Sequence, residues 1–241
     1  MGQYQKNRNI FFIKLRDWNL KLYQRYLSNP PYLNADEVFP QHKILEKNWL
    51  MIKDEINSIV KKTNSLPKFH DVDDGQEFIS ANDGIAWNMF LVKTYGFWNK
   101  HNVKLCPNIV NLFRPFKNVS SISISFLSPG KHIPPHNGPY KGIYRYQLAI
   151  SVPKEGNCQL FVDNKAYTWT EGKGVMFDDT YVHEVKNETK ETRIAVLLDI
   201  RRNDFPFLLK IVLTSKFDST LIELFFNVFK YSKFTFAICL P

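Results

Sequence analysis

Cysteine is scarce in this chain of 241 residues. Its three cysteines, Cys106, Cys158 and Cys239, lie far apart, and no two form a CxxC pair. That excludes a disulfide framework and argues against a structural zinc site. It fits a reducing compartment, and a cytoplasmic location is expected. No apolar run is long enough to cross a membrane without charges. The run Ile10 to Ile13 is too short for the core of a signal peptide and meets charge at once, so no secretory leader is expected. There is no internal repeat and no low-complexity tract. Acidic residues are outnumbered, 23 to 32, for a net charge of +9. The surplus sits at the ends: six basic residues against Asp17 over residues 1–28, and six against three over residues 201–241. A nucleic-acid enzyme would carry its positive charge around a central cleft, so a nucleic-acid partner is not expected. Basic ends with interleaved aromatics suit peripheral contact with an anionic membrane surface, or serve only as solvated ends.

What the chain has in plenty is apolar and aromatic side chain, 44% and 15% of its residues, including 20 phenylalanines. That is enough for one domain with a sizeable core. Three regions are expected. Residues 1–63 read as helical: an amphipathic basic helix over 1–28, ended by Asn29-Pro30-Pro31, then a second over 36–63. Residues 64–202 change texture. Ile85 to Tyr95 reads as a strand pair or a strand and turn, and Ile109 to Phe113 as a short buried segment. Strands follow at Ser121–Leu127, Arg145–Val152, Gln159–Val162, Ala166–Trp169, Gly174–Phe177, His183–Val185 and Thr192–Ile200. Short strands broken at close intervals by Gly, Pro, Asn and Asp predict an antiparallel sandwich or barrel. Residues 203–241 read as an apolar, helical tail, with Leu221 to Phe229 its clearest amphipathic stretch.

Two histidines carry the chemistry. His136 lies in PPHNGP after a predicted strand, and His183 in FDDTYVHEV. In a jelly roll, such positions can meet at one mouth. An oxygenase iron takes imidazoles on one face and leaves the opposite positions open. The usual third ligand is a carboxylate two residues after the first histidine, but Gly138 stands there. The pair alone therefore leaves a structural role open. Arg193, ten residues after His183, adds a guanidinium fork suited to a carboxylate at the far end of a diacid. A salt bridge to Glu191 is its alternative. Arg145, in an apolar strand, needs a partner: an anionic ligand or a core carboxylate.

Three runs, Ser125–Pro153, Trp169–Asn187 and Thr192–Ile200, resemble the aspartyl/asparaginyl β-hydroxylase family, which also contains bacterial lipid A hydroxylases. The resemblance covers roughly residues 86–202. It implies a double-stranded β-helix of the jelly-roll, cupin-like class with flanking helices. It also implies Fe(II), 2-oxoglutarate as co-substrate and O2, used to hydroxylate an unactivated C–H. His136 and His183 match the iron-binding histidines. Ser125 and Arg193 match the pair holding the distal carboxylate of 2-oxoglutarate, and Arg145 an arginine near its metal-proximal end. Gly138 matches a glycine of the animal peptidyl hydroxylase, whose iron has two histidines and no carboxylate. Asp179 matches an aspartate outside the metal's direct ligands, placed to hold an iron-bound water. Gln147 departs from the pattern, which has a histidine against the cofactor there; Gln can donate a hydrogen bond but carries no charge.

His132 reads as a solvent-facing loop residue, and His42, His70 and His101 as surface. Asp178 reads as a turn cap or a support for the site. Trp169, Phe177, Trp87 and Trp98 read as core, Cys106 and Cys158 as small buried hydrophobes. Tyr140 and Lys141 read as substrate contacts. The substrate is expected to be a protein Asp or Asn side chain or a lipid acyl chain. A non-catalytic cupin-like binding module is the competing reading.

Overall fold

The computed structural model describes residue 21 and residues 27–73, 77–138 and 140–203. The helix expected over 1–28 lies almost wholly outside these, and the helix expected in the tail lies entirely outside. Ten strands form two sheets: β1 (Trp87–Thr94), β2 (Phe97–Trp98), β3 (Val119–Leu127), β4 (His132–His136), β5 (Ile143–Ser151), β6 (Asn157–Val162), β7 (Lys165–Thr168), β8 (Gly174–Phe177), β9 (His183–Glu188) and β10 (Arg193–Arg201). The larger sheet runs β2-β1-β3-β10-β5-β8 and the smaller β4-β9-β6-β7, every pairing antiparallel. From β3 onward the chain passes back and forth between the two sheets. This is a double-stranded β-helix: the strand spacing predicts an antiparallel sandwich or barrel, and the family resemblance implies this form of it.

Period-two alternation gives each strand of the larger sheet two roles. On β10, Val196, Leu198 and Ile200 face the outer core, while Ala195 and Leu197 face the space between the sheets. On β5, Tyr144, Tyr146, Leu148 and Ile150 face outward and Ala149 inward. Arg193 and Asp199 therefore share the inner face of β10, and Arg145 and Gln147 that of β5. Ser125 takes the inner face of β3, between outward-facing Ile124 and Phe126.

The outer face is covered by helices α1 (Ala35–Val38), α2 (His42–Lys47) and α3 (Trp49–Lys62). The single helix expected over 36–63 is thus broken twice. Phe39 precedes Pro40 and is driven out of helical geometry, to φ −143° and ψ 65°. Asn48 sits at φ −102° and ψ 13°, with its side-chain amide donating to the Ile44 carbonyl at 2.8 Å. Phe39, Leu45, Ile52, Ile56 and Ile59 are fully buried against the sheet, each burial stabilising by about 1.5–3 kcal/mol. Two further short helices, α4 (Phe69–Val72) and α5 (Glu77–Ser80), precede β1. Helix α6 (Pro107–Phe113) opens on a proline. The α3 residue Glu55 caps it, accepting from the Asn108 and Ile109 amides at 2.9 and 2.7 Å. No helix among the described residues is long and apolar enough to cross a membrane.

Strand β4 was not expected, because prolines cannot donate to a ladder. It is tolerated at an edge: β4 is outermost in its sheet, and its pairing with β9 shifts register between Ile133 and His136, across Pro134 and Pro135. His132 therefore lies on a strand rather than in a loop. Its half-exposed ring meets Glu184 at 2.8 Å. His42 is no surface residue either: it lies largely buried between Asp36 and Glu46.

Candidate active site

The last residue of β4 and the first of β9 are His136 and His183, directly opposed across the ladder. Their ring centroids are 4.1 Å apart. Each ring is held from behind. His136 Nδ1 lies 2.8 Å from the Pro134 carbonyl and His183 Nδ1 3.0 Å from the Tyr181 carbonyl. A carbonyl only accepts, so Nδ1 carries the proton and Nε2 keeps its lone pair. Burial lowers the pKa of both rings. That of His183 falls to about 3, with the neighbouring His136 adding to the effect. Two neutral imidazoles with free Nε2 atoms are what a divalent cation needs.

The glycine two residues after His136 has a steric reason. A side chain at Gly138 would begin inside the carboxylate of Asp179. The same two residues are tied by a bond from the Gly138 amide to the Asp179 carbonyl at 2.6 Å. The carboxylate missing at position 138 is thus supplied to the same region from the β8–β9 connection. Asp179 is buried, its Oδ1 has no hydrogen-bond partner, and its Oδ2 accepts from Arg145 Nη2 at 3.2 Å. Burial raises its pKa to about 6, against the opposing pull of Arg145. No group of three or more His, Cys, Asp or Glu placed to hold a metal occurs among the described residues.

At the opposite end of the inner face is Arg193. It is 1% exposed, and its Nε and Nη1 have no hydrogen-bond partner. The predicted alternative, a pair with Glu191, is absent from the described ion pairs. The guanidinium stacks on Trp169 at 4.8 Å, and burial lowers its pKa to about 10, still cationic at neutral pH. A buried, incompletely paired guanidinium is costly unless an anion joins it. Ser125 lies on the neighbouring strand, opposite Ala195, and accepts from Trp87 Nε1 at 2.9 Å. Its own hydroxyl proton remains to be donated. Small residues, Ala149 and Ala195, line the inner face between this end and the histidines. Gln147 faces the same space, its Oε1 without a partner.

Arg145 is engaged differently. Its Nη2 bonds Asp179, and its Nε lies 3.2 Å from Asp199 Oδ1, an ionic contact without hydrogen-bond geometry. Of the two partners open to it from sequence, the structure supplies carboxylates. Lys141, expected as a substrate contact, is buried. It pairs with Asp178 at 2.8 Å, beside a cavity of about 200 Å³ lined partly by Asn29, Thr180 and Tyr181. Asp178 is fully buried and bonds Asn29 and Thr180 as well. Sequence reasoning missed Asp199 and the stacking role of Trp169. Asp199 could have been found: it falls six residues after Arg193, an even spacing that puts both on one strand face.

Residues 46–203 match the family model described as aspartyl/asparaginyl beta-hydroxylase. An ornithine lipid ester-linked acyl 2-hydroxylase from Rhizobium tropici is 32% identical over 192 residues, covering 78% of this chain and 67% of that protein. The human aspartyl/asparaginyl beta-hydroxylase is 30% identical over 167 residues, covering 66% of this chain but only 20% of that protein. Among solved structures, the Cupin_2 domain of an XRE-family regulator from Enterobacter cloacae overlaps with a TM-score of 0.33 at 14% identity, over 50% of this chain and 97% of that domain. With the match running from α2 through the end of β10, the chain belongs to the aspartyl/asparaginyl β-hydroxylase family.

Proposed function

We propose that this protein is an Fe(II)- and 2-oxoglutarate-dependent dioxygenase that hydroxylates an unactivated C–H bond. Arg193 supports this most directly: a fully buried cation, incompletely bonded, facing a space whose other end holds two neutral histidines. A diacid with one carboxylate at a metal and the other at a guanidinium suits that arrangement. His136 and His183 would hold the iron through Nε2, and Asp179, whose buried Oδ1 has no hydrogen-bond partner, would offer an acceptor to water there. Ser125 would add a hydroxyl donor beside Arg193, and Gln147 an amide near the middle. The iron and co-substrate, when bound, supply the oxidising chemistry with O2. The chain's own residues do the rest. The paired carbonyls behind the histidines fix ring orientation, Asp179 keeps Arg145 at the mouth, and the apolar inner faces exclude bulk water.

The relatives' names point to two substrate classes, a protein side chain and a lipid acyl chain. The experiment is Fe(II)-dependent conversion of 2-oxoglutarate to succinate by the purified chain. It should be abolished in His183→Ala, with the fold retained by circular dichroism. Unchanged turnover in that variant would exclude the assignment.

A further inference from the structure

A tight hairpin stands at the histidine end of the larger sheet. The His183 ring packs on Phe177 at 5.5 Å, Phe177 pairs with Arg145, and Arg145 pairs with Asp199, so the close of β10 marks that end. Thr94 pairs with Phe97 across β1 and β2, leaving a turn of two residues, Tyr95 and Gly96. Both have positive φ, 48° and 93°, as the sharpest hairpin turns require. The turn is docked on β3. The Gly96 amide donates to the Ser120 carbonyl at 2.7 Å, and the Tyr95 amide to Ser121 Oγ at 3.3 Å. Ser121 lies opposite Asp199. The tip is aromatic and exposed, Tyr95 by 47% and Phe97 by 59%.

Cations gather at the same rim. Arg201 follows Asp199 by two residues on the inner face of β10, opposite Ile143. Its Nη2 donates to the Lys117 carbonyl at 3.5 Å. Lys93 Nζ donates to the Val119 carbonyl at 2.7 Å and lies 5.1 Å from the Trp98 ring. Burial lowers the Lys93 pKa, and the charges of Arg201 and Lys117 add to the effect. Lys93 is buried, whereas Lys117 and Arg201 are exposed. None of the three has an acidic partner among the described ion pairs. Of the nearby acids, Asp199 is engaged by Arg145, and Asp73 lies within electrostatic reach of Tyr95.

From this juxtaposition we propose that the β1–β2 tip, with Lys117 and Arg201, is a docking surface for an anionic lipid bilayer, held there against the mouth of the site. Like charges crowded without acidic partners favour an anionic neighbour. Each exposed cation strengthens binding to an anionic bilayer by about fivefold. Exposed rings beside cations suit the lipid interface, where the apolar ring enters the acyl boundary and a Tyr hydroxyl stays wet. A protein partner fits less well. Two aromatic rings cover about 150–250 Å² each, short of the roughly 800 Å² a side that a stable protein interface needs. That the mouth is a mouth rests on the dioxygenase reading, whereas bilayer binding needs neither iron nor 2-oxoglutarate.

The test is co-sedimentation of the full chain, without metal, with phosphatidylcholine vesicles and with vesicles that also contain phosphatidylglycerol. At low salt the anionic vesicles should bind at least about tenfold more tightly, and high salt should remove the difference. Lys117→Gln with Arg201→Gln should weaken binding about thirtyfold. Phe97→Ser should weaken it about tenfold, and Phe97→Trp should keep it. Lys154→Gln with Lys190→Gln removes the same charge from the Arg193 end and should change binding by less than about twofold. Circular dichroism checks that each variant is folded. No binding to anionic vesicles, equal binding to both kinds, or equal losses in the two charge pairs would overturn the proposal. So would a vesicle-free dimer that Phe97→Ser dissolves, which would give the surface to a second copy of the chain. Titration of Fe(II) and 2-oxoglutarate into wild type reads the dioxygenase site separately, so failure there is distinguishable from failure of the bilayer contact.

Discussion

At Gly138 a single hydrogen in place of a side chain makes room for the carboxylate of Asp179. The two positions are therefore alternatives: the protein can place a carboxylate at 138 or at 179, but not both. Gly138→Asp alone should lower stability by about 1–3 kcal/mol, the cost of overpacking, and weaken metal binding. Combined with Asp179→Gly, it should recover stability and bind a metal through three protein ligands. Denaturant unfolding and Co(II) stoichiometry of the two variants check this; equal loss in both would show the residues to be uncoupled. Sequence alone showed the glycine but not its reason. The collision depends on a connection forty residues later in the chain, and only folding brings it there.

At the scale of elements, helices and barrel are joined by polar residues as well as by apolar packing. Glu55 of α3 satisfies two amides at the start of α6, a helix of seven residues that cannot be stable alone. Glu55→Ala should cost about 1–3 kcal/mol, because it leaves the buried Ile109 amide and the part-buried Asn108 amide without their partner. Chemical denaturation measures the cost, and a change within error of zero would mean that water replaces the cap. Apart from β4, the strands between residues 119 and 200 were legible because they carry β-branched and aromatic residues bounded by turn residues. Strand β4 was hidden by its two prolines, which only an edge position accommodates. The breaks in the 36–63 helix were legible in principle at Pro40, yet the apolar spacing runs through them.

Over the whole molecule, buried or half-buried carboxylates pin distant segments together. Asp178 holds the Asn29 segment to Lys141, Glu46 ties α2 to Lys173 and Gly174, and Asp83 holds Lys131. Burial pushes each carboxyl pKa up, but the bonds from these partners outweigh it and leave all three below the ordinary value. A folded pKa below the unfolded one stabilises the fold above the unfolded value, and that stability is lost as pH falls through the folded value. Urea midpoints should hold near neutral pH and drop once pH goes below about 4, the ordinary carboxylate range. A midpoint unchanged from pH 7 to pH 3 would show these pairs to be idle. Composition foretold a domain with a sizeable core, and strand patterning a β-rich fold, but the ion pairs that join its parts span more than thirty residues each and leave no local signature.

The two-histidine, one-arginine geometry is tested most directly by anaerobic titration of Fe(II) and then 2-oxoglutarate into the full chain. One iron and one 2-oxoglutarate should bind per chain. His183→Ala should lose the iron, and Arg193→Leu should keep it while 2-oxoglutarate affinity falls about a hundredfold, the loss of a bidentate charged pair. Equal 2-oxoglutarate affinity in wild type and Arg193→Leu, or iron binding undiminished in His183→Ala, would contradict it.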